Sequence, residues 1–198
     1  MHEDACHTFE HHRWRSVRRH IASDIDRFIA TSHHIGTERA TFAHRVSTFA
    51  RPELQCLFLH RIAHWLYVNH WRKTARLVSR FNALLHKVHL TPQSCLGPGC
   101  RLPHPCGLSF HGRAGRNATL FSCSVCGPRT PPFDGPIQRG PSLGDNVLIG
   151  GHAVVLGPVR VGDHARVGFS ATVDCDVPPD AAVLSHAGRN KTTPREKG

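Results

Sequence analysis

The stretch SLGDNVLIGGHAVVLGPVRVGDHARVGFSATV, residues 142–173, decides the fold. An aliphatic residue returns at every sixth position: Leu143, Ile149, Val155, Val161, Val167 and Val173. Four residues after each comes a small or β-branched companion, Val147, Ala153, Val159, Ala165, Ala171 and Val177, and Gly follows at 144, 150, 162 and 168. A helix repeats every 3.6 residues and a strand every two, so neither alone makes this pattern. A short strand and a turn every six residues do, with three such units closing one coil of a triangular prism. The aliphatic residue points into the prism, the small one fits near a corner, and Gly or Asn supplies permissive backbone angles at the turns.

The same count runs upstream through Leu90, Leu96, Leu102, Leu108, Ala114, Leu120 and Cys126, with Ser94, Cys100, Cys106, Gly112, Ala118 and Ser124 as companions. Between the two blocks lies GPRTPPFDGPIQRGPS (127–142), which can bulge from the prism without breaking it. Loops on rigid scaffolds often carry binding groups, and a site-lining role is expected for this one. An α/β crossover fold needs helix-length segments between strands, and a sandwich needs longer alternating strands; neither is present. The fold expected is a left-handed parallel β-helix of hexapeptide repeats over 89–179, carrying the loop 127–142.

Upstream of Val88 the period is helical. Val17, Ile21, Ile25, Phe28 and Ile29 recur at spacings of three and four, and a second helix is expected over 38–49. Pro52 suits the first turn of a third. Leu54, Leu57, Phe58, Ile62, Trp65 and Leu66 make its apolar stripe. A further helix from about Trp71 is expected to turn Ala75, Val78, Phe81, Leu84 and Leu85 inward. Residues 15–88 thus read as an N-terminal all-α domain, 1–14 as a frayed terminus and 180–198 as a tail after Pro178–Pro179. His60 and His64 stand four apart, as helix-borne ligands do, but the residues between are RIA. They read as packing or solvent-exposed, and no metal is expected.

The chain has 198 residues, a formal charge of +11 and eight cysteines. No stretch has the roughly 20 apolar residues that cross a bilayer. The N-terminus lacks the apolar core of a secretory signal, so the chain reads as cytoplasmic with reduced thiols. Cys123 and Cys126 have CxxC spacing without a second pair, and Cys106 falls on a small-residue position, where packing accounts for it. The positive charge can serve nucleic acid, yet no RNP-like aromatic pair or finger pattern accompanies it; an anionic cofactor such as coenzyme A suits it equally.

One histidine lies at a corner of the early coils, His104 in LPHPCG, where a neutral imidazole can take a proton from an attacking hydroxyl or amine. His111, one repeat later, is a second candidate, and His89, ahead of the first rung, can orient or assist.

Two segments are similar to the serine O-acetyltransferase family. HRIAHWLY (60–67) resembles the helical signature that precedes that family's β-helix, and SLGDNV through PPDAAV (142–183) resembles its late coils; with HLTPQSCLGPGCRLPHPCG the similarity covers roughly 50–189. The resemblance implies acetyl transfer from acetyl-CoA, or another acyl-CoA, to L-serine or a related small hydroxyl or amine acceptor. It implies a homotrimer or a dimer of trimers, with no nucleic acid, membrane or metal. His104 matches the family's general base, with His89 beside it, and Arg139 in QRGPS matches the residue around the substrate carboxylate, with His111 as a further acceptor contact. Gly150, Gly151, Ala153, Gly168, Ala171 and Arg189 match cofactor contacts between prisms. The sequence departs from the family at Pro103 and His89, which replace two Asp, at Gly140, which replaces a His, at CGPRT (126–130) and at SHAGR (185–189). These changes keep a second reading open, a diverged non-catalytic or regulatory β-helix partner protein.

Overall fold

The computed structural model describes residues 10–31, 48, 50–130, 132 and 135–185. Among these residues three helices come first: α1 (Trp14–Thr31), α2 (Pro52–Val68) and α3 (Arg72–His86). Thirteen strands follow, in three parallel sheets. The first face holds β1 (His89–Leu90), β3 (Ser109–Phe110), β6 (Val125–Gly127), β9 (Val154–Leu156) and β12 (Thr172–Val173). The second holds β2 (Cys95–Leu96), β4 (Arg113–Ala114), β7 (Ser142–Leu143) and β10 (Arg160–Val161). The third holds β5 (Thr119–Leu120), β8 (Leu148–Ile149), β11 (Arg166–Val167) and β13 (Ala182–Val183). The chain visits the faces in turn, as a left-handed parallel β-helix does.

In the late coils strands pair three repeats apart, as in Ser142 with Arg160 and Val154 with Thr172, until the last, where Arg166 pairs with Ala182, two residues short of that spacing. Their inward residues, Leu143, Ile149, Val155, Val161, Val167 and Val173, are all buried as the repeat predicts. Each fully buried aliphatic side chain contributes roughly 1.5–3 kcal/mol. Across the loop Arg113 pairs with Ser142, so the insertion lengthens one coil by more than half while the register on either side holds.

The early coils depart from the strict six-residue count. His89 pairs with Ser109, two positions beyond a regular coil, and Ser109 with Val125, two positions short of one. Phe110, not Leu108, is therefore the inward residue between Leu90 and Cys126. Leu108 takes the buried corner position and Cys106 is displaced into solvent, against its expected packing role. Two extra residues thus enlarge the corner that carries His104, and the next coil is shortened by two.

The helices follow local rules at their ends. Pro52 opens α2, and α3 closes on Lys87 in the left-handed region (φ 57°), whose N–H donates to Ala83 O. The expected helix over 38–49 lies, apart from Thr48, outside the described residues. The inward faces are more polar than the periodicity suggested. Beside Val17 and Phe28, α1 buries Ser16, His20 and Asp24; beside Leu54, Leu57 and Ala63, α2 buries His60, Arg61 and His64. Neither His60 nor His64 is solvent-exposed. On α3, Ala75, Asn82 and His86 face inward while Leu77, Phe81, Leu84 and Leu85 stand exposed, reversing the expected face for the last three. The frayed segment also ends earlier than expected, since Glu10–Arg13 form a turn and His11 is buried.

A buried ion pair ties the helices to the prism. Arg61 Nε and Nη2 each donate to Asp24 at 3.1 Å, Arg61 also donates to the carbonyls of Leu96 and Gly97, and Asp24 Oδ1 accepts from Cys100 N–H at 2.9 Å. The two ions are hydrogen-bonded to each other and to the backbone, which such a pair needs once water is excluded. Among the described residues no helix is long and apolar enough to cross a membrane.

Candidate active site

The edge between the third and first faces carries His104. The turns there stack in register: Cys123 N–H donates to Cys106 O, His152 N–H to Ser122 O, and Ser170 N–H to Gly151 O. His104, Cys123, His152 and Ser170 each hold φ between 50° and 59°, the left-handed turn that lets a strand double back at the corner. The two extra residues push the His104 turn outward, and Gly107 N–H pins its far end to Lys87 O.

His104 is exposed and lines a cavity of about 530 Å³ with Pro105 and Cys106. The other wall is helical: Arg51, Glu53 and Gln55 from the start of α2, and Leu85, His86 and Lys87 around the end of α3. Glu53 is paired with Arg101 at 3.7 Å, which holds the carboxylate toward the first coil. Burial lowers the pKa of His86, and Asn82 Oδ1 lies 2.8 Å from its Nδ1. The helices thus supply an acid, an amide and a second imidazole around His104. Sequence reasoning missed these three, because only the docking of α2 and α3 on the first coil brings them to the corner.

The remaining site candidates are scattered over the molecule. Gly150, Gly151 and Gly168 lie on the same edge as His104. A Cβ on Gly150 would stand 2.7 Å from Phe169 N, so close coil stacking already requires glycine there. Ala153 and Ala171 follow on that edge with buried side chains that fill the prism. Phe121 and Phe169 form a tilted pair on this edge, ring centroids 5.6 Å apart, with Phe169 63% exposed. Arg189 lies outside the described residues. His89 is exposed and faces a different, smaller cavity, with Arg76 and Arg80 of α3. His111 is buried, its Nδ1 2.9 Å from Thr91 Oγ1, and offers an acceptor almost no surface.

Arg139 belongs to another edge. It ends a short 3-10 turn, Ile137–Arg139, in the loop between the first and second faces. Its Nη2 donates to Thr130 O and Oγ1 at 2.9 and 2.8 Å, clasping the two limbs of the loop. His104 and Arg139 therefore stand on different edges of one prism. The CxxC pair is divided as well: Cys123 lies at the corner and Cys126 inside, where burial pushes its thiol up to about 12.

The signature of the bacterial transferase hexapeptide family (six repeats) matches residues 140–175. Over 145 residues the chain is 32% identical to serine acetyltransferase of Mycobacterium tuberculosis, covering 71% of this chain and 61% of the relative. Over 140 residues it is 34% identical to serine acetyltransferase of Synechococcus elongatus, covering 70% and 56%. The chain thus spans about three fifths of the length of these curated relatives. In three dimensions it superposes on the crystal structure of Neisseria gonorrhoeae serine acetyltransferase with a TM-score of 0.76 at 23% identity, over 86% of this chain and 64% of the other.

Proposed function

We propose that the chain is a member of the serine acetyltransferase family of hexapeptide-repeat transferases and that it transfers an acetyl group from acetyl-CoA to the hydroxyl of L-serine or a related small hydroxyl or amine acceptor. One observation carries the reading: His104 occupies an enlarged corner, open to a cavity, on the edge where the later turns at Gly150–His152 and Gly168–Ser170 stack.

The reaction needs no protein nucleophile. His104 takes the proton from the acceptor hydroxyl as its oxygen attacks the thioester carbonyl. The C–S bond then breaks, and the departing thiolate of coenzyme A takes the proton back from the imidazolium. The donor's long arm runs along the His104 edge, where Phe121 and Phe169 offer apolar contact. The buried methyls of Ala153 and Ala171 serve this edge by setting its turns.

Arg139 reaches an acceptor bound at His104 only from a neighbouring copy, since the two lie on different edges. A homotrimer of parallel prisms places one edge of each against another edge of the next. The exposed stripe Leu77, Phe81, Leu84 and Leu85 on α3 supplies a further surface through which copies join.

A second reading, a non-catalytic β-helix partner, draws on Pro103, which stands where the family has an Asp, and on Glu53, which is committed to Arg101. Thiol release from acetyl-CoA across a panel of amino acids and amino alcohols separates the two. Acceptor-dependent release supports the transferase, and coenzyme A binding without turnover across the panel supports the partner protein.

A further inference from the structure

The seam where the helices meet the first coil holds an unusual set of buried side chains. His11, from the turn ahead of α1, His64 of α2 and Cys95 of β2 are 2%, 3% and 1% exposed. One ligand atom from each lies within 4.8 Å of the other two. Cys95 Sγ is 3.3 Å from His11 Nε2, and the His11 and His64 rings meet edge-on with centroids 4.7 Å apart. His64 Nδ1 is 2.8 Å from Pro92 O. A carbonyl only accepts, so Nδ1 carries the proton and Nε2 carries the lone pair. A backbone carbonyl that fixes the tautomer in this way is the outer support that metal-bound histidines normally have.

We propose that His11, His64 and Cys95 form a binding site for a divalent transition metal, zinc foremost. Zinc binds thiolate and imidazole at about 2.3 and 2.0–2.1 Å, which puts its donors roughly 3.3–3.6 Å apart in a tetrahedron. The sulfur–nitrogen pair is already at that separation, and small side-chain rotations bring in the third donor. Binding releases the Cys95 thiol proton, so metal and thiolate together add one positive charge. Arg61 is the neighbouring cation, and its bidentate pairing with Asp24 offsets it. His64 also lines, with Tyr67, Gln93, Arg113 and Ile137, a cavity of about 640 Å³ from which an ion and a fourth, water ligand would reach the site.

The three residues come from separate parts of the sequence and share no ligand spacing. None belongs to the His104 cavity, so the site stands independently of the proposed transferase reaction.

Cobalt(II) titration of the full-length, untagged, reduced and chelator-treated protein tests the site. One equivalent should bind with a thiolate-to-cobalt charge-transfer absorption and the intense visible bands of tetrahedral cobalt. Both features should disappear in Cys95→Ser and persist in Cys106→Ser, whose thiol is exposed elsewhere. His11→Gln, at the edge of the helical part, should weaken binding at least about tenfold. Absence of the charge-transfer band in the unmodified chain, or its survival in a folded Cys95→Ser protein, overturns the proposal. Where Cys95→Ser does not fold, unchanged cobalt affinity in His11→Gln does the same.

Discussion

Inside the prism, Leu90, Phe110, Cys126, Val155 and Val173 stack in one column, and two similar columns complete an apolar core of mostly aliphatic, small and thiol groups with Phe110 as its aromatic member. Where α1 and α2 rest on the first coil, His11, His20, Asp24, His60, Arg61 and His64 are buried beside the apolar Val17, Leu54 and Leu57. The first interior is held by area removed from water, a non-directional force that tolerates exchange of one apolar residue for another. The second depends as well on directed hydrogen bonds and on the Arg61–Asp24 ion pair, which lose most when one partner is removed. The prism should therefore yield gradually to substitution and the helical cap abruptly.

The largest expected effect is on the ion pair. Arg61→Ala leaves Asp24 buried and uncompensated, and should cost about 3–5 kcal/mol in denaturant unfolding of the cap. Replacing Arg61 and Asp24 together by Met and Leu should recover most of that loss. A double variant as unstable as the single one would mean that the backbone contacts of Arg61 outweigh the charges.

Prism substitutions come next. Leu120→Ala should cost about 2–5 kcal/mol and Ile149→Val about 0.5–1.5 kcal/mol, graded by the volume removed. Asn82, whose Nδ2 donates to Cys56 O at 3.0 Å, lies on the polar side of the comparison. Asn82→Ala removes the second donor to that carbonyl and leaves the His86 Nδ1 without its partner, and should cost about 1–3 kcal/mol, more than its small volume suggests.

Acid offers a finer distinction. His20 is lowered to about 4 by burial first and then by Arg61, Arg116, Arg19 and His64. A base whose folded value is depressed is favoured neutral in the fold, so the unfolded chain binds more protons. Its contribution to stability is full above about 6.5 and falls as pH drops toward about 4. The prism's buried thiols, Cys100 and Cys126, are pushed up to about 12 and stay neutral throughout that range. Trp14, Trp65 and Trp71 all lie in the helical part. In chelator-treated protein their fluorescence should report a transition between pH 6.5 and 4 while β-structure circular dichroism persists.

The same contrast explains what could be read from the amino acids alone. Each coil repeats the environments of the coil before it, so Leu143 through Val173 announce their burial by period. The slip at Phe110 is hidden in the sequence because Leu108, equally apolar, keeps the six-residue count. In the cap, Asp24 and Arg61 are far apart in the chain and look like ordinary surface charges until α1 and α2 dock. His104 was visible as the histidine of a corner turn. Glu53, Gln55 and His86 were not, because their place beside it depends on how the helices pack. Cys95 looked like any outward strand residue, and nothing in its neighbourhood of sequence points to His11 or His64.

The transferase reading turns most directly on His104. Initial rates of thiol release from acetyl-CoA with L-serine, measured for the unmodified chain and for His104→Ala at matched oligomer mass, put it to the test. The proposed reaction predicts acceptor-dependent release that falls by about 10²-fold or more in the variant, as loss of a general base does. Equal rates in the two proteins would contradict it.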